Sequence, residues 1–279
     1  MKLRQKGLRE EKEEKRFKVC WENKAKAISH FDRKYEKEIS FGKAPAFEWS
    51  RDNDKNTFSC LEKTMEIERK DDAVLDIGCG PLARAEVQFG LMGIKIIGFD
   101  ISRTIINRAR QYAIENKVVE NVDFMIGDAE FLPFRARAVG SIISLGTISH
   151  LPSLGCAKKA IKEMARVVSR GGIVYVNWFQ NLYSVFGIQE LLVLKIMDLM
   201  NTERVQMLLF RGLGEIQKIF QDARLSIKEI RCVSSIAVPI PSMLPLYLRR
   251  SALRVQNILD SSRVLQKIPR DFDVVAHAC

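Results

Sequence analysis

Two apolar runs of the sequence each end in an acidic residue that could help to bind a ligand. The first run ends in Asp76 and continues into Gly78 and Gly80, and the second ends in Asp100. Glycine lets a backbone approach a ligand closely, and a carboxylate at the end of the next strand can accept both hydroxyls of a ribose. Gly78 and Asp100 are separated by about 20 residues, which one crossover helix and two loops require. These residues therefore predict a nucleotide-like site in a parallel α/β sheet.

The residues after Gly80 discriminate between kinds of nucleotide site. A dinucleotide site is typically marked by GxGxxG, and a Walker loop by a glycine-rich run ending in GKS or GKT. Here Pro81, Leu82 and Ala83 follow Gly80, so the third glycine is absent, and the chain contains no GKS or GKT. Both sites are disfavoured, and a dehydrogenase remains only as an alternative.

The pattern Asp76-x-Gly78-x-Gly80 resembles motif I of the class I S-adenosylmethionine (SAM) methyltransferases. Three later segments resemble further motifs of that family and occur in the right order: IGDAEFLPF at 126–134, SIISLGTISHL at 141–151 and AIKEMARVVSRGG at 160–172. The resemblance covers residues 73 to about 178. It is strongest to the branch that contains the ubiquinone and menaquinone biosynthesis methyltransferases.

This resemblance implies SAM as the cofactor and assigns residues to each part of it. Asp76 is expected at the methionine amino group, Asp100 at the ribose, and Asp128 at the adenine. The other expected contacts come from the glycine turn and from residues that follow the second, third and fourth strands: Gly78, Cys79, Gly80, Ile101, Ala129 and Leu145. Each carboxylate has an alternative interpretation as a structural cap.

Leu82 is a departure from the family pattern, because the family commonly has a third glycine at this position. A leucine here narrows the approach of the backbone to a ligand. Arg84 follows closely, and its pairing with the methionine carboxylate is a hypothesis. The alternative is a surface arginine at a helix start.

Methyl transfer from SAM needs positioning more than strong catalytic groups, since the sulfonium already activates the methyl group. His150 is a catalytic candidate because an imidazole can accept a proton from a hydroxyl or amine acceptor, although it can equally close the turn before Pro152. Tyr35, towards the end of the N-terminal helix, is the second candidate. No Asn/Asp-Pro-Pro-Tyr motif and no Pro-Cys or Thr-Cys pair follows the fourth strand. These absences favour a small-molecule or lipid-like acceptor, methylated on oxygen, nitrogen or an activated carbon.

Composition predicts a soluble cytoplasmic protein. The chain has 279 residues, of which 47% are hydrophobic and 28% charged, so it can bury a sizeable core. Its six cysteines form no C-x-x-C motif and no cluster with histidine, which argues against a zinc site and a disulfide framework. The charged N-terminus is unlike a signal peptide, and no apolar stretch is long enough to span a bilayer.

The net charge of +11 suggests an anionic partner. Nucleic acid is disfavoured, because the aromatic residues do not interleave with the basic clusters as a stacking surface requires. An anionic membrane surface or a phosphorylated substrate is the alternative, and the basic residues can also serve solubility alone. The proline, apolar and arginine residues of 236–269 are compatible with peripheral membrane contact. The oligomeric state is not predicted.

The predicted fold is α/β, a Rossmann-like, mostly parallel sheet of seven strands with helices on both faces. In the resembled family the last strand is antiparallel and lies between the fifth and sixth. The predicted strands are centred on 73–77, 94–99, 122–126, 140–145, 172–178, 226–234 and 271–277. The predicted core helices lie near 83–91, 103–117 and 155–168.

The chain divides into a core and helical additions. The predicted segments are a charged tail at 1–18, an N-terminal helical cap at 19–70, the SAM-binding core at 71–180, a helical insertion or lid at 181–215, and the C-terminal part of the core at 216–279, with an insertion at 236–269. One long helix is predicted over 181–209, because its apolar residues recur on more than one helical face.

The leading prediction is a SAM-dependent methyltransferase that acts on a small or amphiphilic acceptor, such as a quinone precursor, a lipid or a glycolipid. An RNA or protein methyltransferase is the alternative that the positive charge suggests. A SAM-binding protein without transferase activity is a third possibility, motivated by Leu82 and by the lack of an obvious base.

Overall fold

The computed structural model describes residues 24–26, 28–29, 32–33, 73–184, 187–188, 191–192, 195, 208–233 and 271–279. The charged tail at 1–18, Tyr35 and the insertion at 236–269 lie outside the described residues. What the sequence predicts for them stays a prediction.

Eight strands of the described residues form one sheet in the order β3-β2-β1-β4-β5-β8-β7, with β6 paired to β5. Strands β1 to β6 pair in parallel, whereas β8 is antiparallel to both β5 and β7. The strands are Val74–Ile77 (β1), Ile96–Asp100 (β2), Val122–Ile126 (β3), Val139–Ser144 (β4), Val168–Asn181 (β5), Leu209–Phe210 (β6), Leu225–Val233 (β7) and Asp271–Ala278 (β8). The predicted α/β fold class is confirmed, and so is the antiparallel strand between the fifth and sixth predicted strands.

Helices connect the parallel strands and cover the sheet. They are Arg84–Leu91 (α1), Arg103–Glu115 (α2), Leu154–Val167 (α3) and Leu213–Asp222 (α4), with a 3₁₀ turn at Ile148–His150. Serine side chains cap two of them, since the Ser102 hydroxyl accepts from the backbone N–H of Ile105 and the Ser153 hydroxyl from that of Cys156. Residues 24–26, 28–29 and 32–33 are also helical and are called the N-terminal helical segment below.

Strand β1 is buried on both faces, as expected for a central strand of a parallel sheet. Leu75 and Ile77 belong to the larger core cluster, which contains residues of α3, and Val74 belongs to a second cluster with Phe89 of α1. Because side chains alternate along a strand, Asp76 lies on the same face as Val74. The acidic residue of β1 is therefore directed towards α1.

The predicted helix over 181–209 is wrong at both ends. Asn181 is the last residue of β5, and Leu209 begins β6. The short strand β6 pairs with the end of β5, so the base of this insertion is a strand pair. Helical residues occur between them at 187–188, 191–192 and 195. Apolar periodicity alone does not show where strand pairing ends such a helix.

Helix α4 is absent from the predicted elements, although its sequence contains a helical pattern. Ile216, Ile219 and Phe220 are buried at helical spacing against the larger core cluster. Strand β5 also begins earlier than predicted, at Val168, and continues through Gly171 at φ +71°. A Gly-Gly pair therefore does not separate α3 from this strand.

Candidate functional site

The carboxyl ends of the parallel strands place the sequence-predicted residues along one edge of the sheet. The glycine turn follows β1, Asp100 ends β2, Asp128 follows β3, and Leu145 follows β4. In open α/β sheets ligands bind outside this edge, where the direction of the crossovers changes. The predicted site residues that the structure describes therefore lie at one edge of the sheet.

The glycine turn is tied to β2 and packed against the turn after β4. The N–H groups of Gly78 and Cys79 both donate to the carbonyl of Phe99, at 2.6 and 3.2 Å. A Cβ on Gly78 would lie 1.7 Å from Oγ1 of Thr147, so only glycine fits there. Gly80 has φ +66°, and apart from its chain neighbours no atom of the described residues lies within 4 Å of the position of a Cβ. Gly78 therefore serves packing, and Gly80 leaves the backbone open to a ligand.

Leu82 does not need the backbone conformation of the glycine that it replaces. The left-handed residue in this part of the turn is Ala83, at φ +41° and ψ +48°, which precedes α1 and is fully buried. Ala83 offers no side-chain cap to the first amides of α1, and uncapped amides at a helix start suit an anionic group. Pairing of Arg84 with the methionine carboxylate stays a prediction.

Asp100 is held by backbone amides of its own turn and of the glycine turn. It accepts the N–H of Ser102 at 2.9 Å, and the N–H groups of Gly80 and Ile101 also bond to it. Burial raises the pKa of Asp100 to about 6, and these hydrogen bonds limit the rise. Its carboxylate is therefore mainly ionised at neutral pH, in the form that accepts ribose hydroxyls. Ile101 is half-buried beside it.

Asp128 and Glu130 share a lysine from the N-terminal helical segment. Oδ1 of Asp128 accepts the N–H of Glu130, and Nζ of Lys24 lies 2.5 Å from both Oδ2 of Asp128 and Oε1 of Glu130. The side chain of Lys24 is 6% exposed. Burial alone would lower the pKa of Lys24, but the hydrogen bonds and charges of both acids outweigh it and raise the pKa. Ala129, between the two acids, is buried.

Sequence reasoning missed Lys24, although its spacing contained a signal. Lys24 lies three residues after Trp21 and four before Ile28, on the apolar stripe of the predicted helix. A charged residue at such a position is buried only when it is paired. A second polar contact joins the same segment to the site, since the Ser102 hydroxyl donates to Oδ1 of Asp32 at 2.5 Å.

The turn after β4 places His150 and Leu145 at the same edge. The N–H of Gly146 donates to Oδ1 of buried Asn177 at 2.7 Å, which fixes this turn to β5. His150 is half-buried at the end of the 3₁₀ turn, and Leu145 is also half-buried. Cys79 is buried, and burial raises the pKa of its thiol well above the ordinary value. A neutral thiol of this kind suits packing and not nucleophilic attack.

A methyltransferase domain family model matches residues 74–172, the segment that contains the glycine turn, Asp100 and Asp128. Residues 74–172 are therefore similar to a methyltransferase domain. The fold of the described residues is similar to that of solved SAM-dependent methyltransferases.

The curated relatives of this segment are named for different acceptors. A probable tRNA methyltransferase 9B of Mus musculus is 30% identical over 135 residues, covering 48% of this chain and 28% of the relative. A chloroplastic tocopherol O-methyltransferase of Arabidopsis thaliana is 29% identical over 114 residues, covering 40% of this chain and 32% of the relative. The matched region thus spans about a third or less of these curated relatives.

A solved structure of similar fold is geranyl diphosphate C-methyltransferase from Streptomyces coelicolor A3(2), in complex with Mg²⁺, geranyl diphosphate and S-adenosyl-L-homocysteine. The TM-score is 0.58 at 15% identity, over 81% of this chain and 78% of that chain. At this identity the likeness shows the fold alone.

Asp76 and Glu86 form a buried carboxyl pair beneath the glycine turn of the methyltransferase domain. Asp76 is 2% exposed, and Glu86, in the first turn of α1, is 0% exposed. Burial raises the pKa of Asp76 to about 7 and that of Glu86 well above its ordinary value. The sequence analysis did not predict a role for Glu86. The available indication is that Glu86 lies on the buried face of α1, together with Ala85 and Phe89.

The described residues contain no group of three or more potential metal ligands, and none of their helices is long and apolar enough to cross a bilayer.

Proposed function

We propose that this chain is a SAM-dependent methyltransferase that transfers a methyl group to a small or amphiphilic acceptor, of lipid-, quinone- or glycolipid-like chemistry. The main support is the row of polar groups at the carboxyl edge of the sheet, from the open backbone at Gly80 through Asp100 to Asp128. The same segment matches a methyltransferase domain model.

The residues present fit SAM. In the proposed arrangement Asp76 holds the amino group, Asp100 the ribose hydroxyls, and Asp128, with the backbone of Ala129, the adenine. Gly78, Cys79 and Gly80 place their backbone along the methionine part, and Leu145 closes the far side. SAM supplies a methyl group that its sulfonium has already activated. The protein therefore mainly orients the acceptor atom in line with that methyl group.

His150 is the described residue that can take up a proton at this edge. It lies at the end of the 3₁₀ turn after β4, and a half-buried imidazole can accept the proton of an acceptor hydroxyl or amine. Tyr35 remains the second proposed catalytic residue.

Exposed apolar side chains beyond β5 support an amphiphilic acceptor. Strand β5 ends at Asn181, so the residues that follow emerge at the carboxyl edge of the sheet. Four apolar side chains there are exposed to solvent: Tyr183 (61%), Ile188 (53%), Leu191 (42%) and Leu192 (56%). Where such side chains form contiguous exposed apolar surface, it can mark a ligand or membrane contact. A tocopherol O-methyltransferase among the relatives and the structurally similar geranyl diphosphate C-methyltransferase are named for acceptors that contain an apolar chain.

Incubation with methyl-labelled SAM and separate lipid, small-molecule, RNA and protein fractions tests this proposal. We expect label in the lipid or small-molecule fraction, and loss of that label in Asp100→Ala. Label confined to RNA or protein would overturn the acceptor class. Tight SAM binding without label in any fraction would instead support a SAM-binding protein that lacks transferase activity.

An RNA methyltransferase is the second candidate, because a basic pocket lies at the opposite edge of the sheet. This pocket of about 320 Å³ is lined by five cationic residues, Arg137, Lys162, Arg166, Arg170 and Arg224. Arginine matches phosphate geometry well, and a relative is a probable tRNA methyltransferase. RNA binding that weakens steeply with salt, and that is lost in Arg170→Ala with Arg224→Ala, would favour this candidate.

A further inference from the structure

Most carboxyl oxygens of Asp76 and Glu86 lack a side-chain hydrogen-bond donor among the described residues. In this part of the chain no side-chain donor meets Oδ1 of Asp76 or either carboxyl oxygen of Glu86, although both side chains are almost fully buried. A backbone N–H at Glu86 opposes the effect of burial on the pKa of its carboxyl. A buried ionised carboxylate without a partner is strongly disfavoured. Two such groups in contact therefore need a proton or a cation between them.

The backbone explains how Glu86 comes so close to Asp76. Gly98 is the register partner of Asp76 on β2, and a Cβ on Gly98 would lie 2.7 Å from Oε1 of Glu86. The missing side chain makes room for the Glu86 carboxyl beside Asp76, and the two are in hydrogen-bonding reach. Ionised carboxylates cannot donate to each other, so a hydrogen bond between them requires one shared proton.

The groups around the pair favour retention of that proton. Asp100 adds a like charge from β2, whereas the positive charge of Arg84 has the smallest effect on Asp76. Cys79 contributes a neutral thiol, and the β4 register partner of Asp76 is the apolar residue Ile143. The pair therefore holds about one proton, and one negative charge, near neutral pH.

We propose that Glu86 is a positioning residue for the cationic amino-acid end of SAM, acting through Asp76, and that the pair releases its shared proton when this end binds. The inference rests on the proposed function. A ligand ammonium at Asp76 stabilises the ionised form of both carboxyls and takes the place of the proton between them. One O–H bond breaks, and the proton passes to the buffer.

The proposal predicts that SAM binds more tightly as pH rises. Because binding releases a proton from a group whose pKa is about 7, affinity in the wild type increases by about tenfold in total between pH 6 and 8, mostly below pH 7. Glu86→Gln cannot release this proton, so its affinity changes less with pH and is up to about tenfold weaker at pH 8. The ammonium of the ligand itself titrates equally with both proteins and cancels in the comparison.

The free protein gives a readout that does not depend on SAM. A raised pKa in the folded state means that the stability due to the bound proton is present at low pH and is lost as pH rises through about 7. Glu86→Gln removes this loss, which runs from about pH 4 to about pH 7, so the variant is more thermally stable than the wild type at pH 8 and its advantage is smaller at pH 5.5. A merely structural glutamate would make the variant less stable at both.

Calorimetry of SAM binding in two buffers of different ionisation enthalpy tests the proposal, with Glu86→Gln and with Glu120→Gln as an exposed control. We expect release of up to about one proton in the wild type and the control, and less in Glu86→Gln. Equal release and equal pH profiles in all three would overturn the inference and leave the proposed function standing. A wild type that does not bind SAM would overturn both.

Discussion

At the adenosine end of the proposed site, Lys24 lies between two acids, whereas at the amino-acid end Asp76 and Glu86 face each other. Nζ of Lys24 is 2.5 Å from Asp128 and from Glu130, so the chain itself neutralises those carboxylates. Three carboxyl oxygens of the Asp76–Glu86 pair meet no cation or side-chain donor from the part of the chain that the structure describes. Both carboxyl pairs are buried, but only the Asp128–Glu130 pair is neutralised by a cation between its carboxylates, Lys24.

This difference matches the charge distribution of SAM. Its adenosine part is neutral, and its amino-acid part contains an ammonium, a sulfonium and a carboxylate, with a net positive charge. A site for a neutral group is best built with its charges already paired, whereas a site for a cation is best built with negative charge that the ligand satisfies. The two ends therefore bind by different means, and substitutions should separate them.

The largest expected effect concerns the rigidity of the turn at the amino-acid end. Gly78→Ala places a Cβ 1.7 Å from Oγ1 of Thr147 in a left-handed backbone. We expect a loss of about 3 kcal/mol in the free energy of unfolding, measured by urea denaturation. Gly80→Ala has open space and should lose only about 1 kcal/mol. Equal losses would show that Thr147 does not restrain this turn.

The next effect concerns Asp100, which lies between the two ends. Asp100→Ala removes the proposed ribose acceptor and the anchor of the N–H groups of Gly80 and Ser102, so SAM affinity should fall by about 100-fold. The control Asp123→Ala removes an exposed acid of β3 and should leave affinity within about twofold. Similar affinities for the two variants in calorimetry would exclude Asp100 from the site.

A smaller effect is expected at the adenosine end. Lys24→Met leaves two buried carboxylates without their cation, so we expect a loss of about 2 kcal/mol in unfolding free energy and about tenfold in SAM affinity. Lys159→Met removes a cation that lies 3.6 Å from Glu130 but is 60% exposed, and it should change stability by less than about 0.5 kcal/mol. Matching losses in the two lysine variants would mean that burial of Lys24 is unimportant.

Much of the methyltransferase core was predictable because its signals are local. Apolar runs that end in acids or glycines mark β1 and β2, and the serines at 102 and 153 mark the starts of two helices. The two-residue strand β6 could not be predicted, since it exists only through pairing with the distant end of β5. Strand pairing of this kind is a property of the folded chain.

The site residues that could be predicted lie in the glycine turn or at the ends of strands, where the sequence pattern itself marks their position. Lys24 and Glu86 were missed because each becomes important only through a partner far away or on another element. Lys24 meets Asp128 across 104 residues, and Glu86 meets Asp76 only because Gly98 has no side chain. In both cases a charged residue on an apolar helical face was the available signal.

The most direct test compares SAM with methylthioadenosine, which lacks the amino-acid end, by calorimetry at pH 8 on the wild type, Lys24→Met and Glu86→Gln. We predict that Lys24→Met weakens both ligands by a similar factor, about tenfold, because both share the adenosine end. Glu86→Gln should weaken SAM by up to about tenfold and leave methylthioadenosine within about twofold. Equal weakening of both ligands by Glu86→Gln, or unchanged methylthioadenosine binding in Lys24→Met, would contradict this account of the two ends.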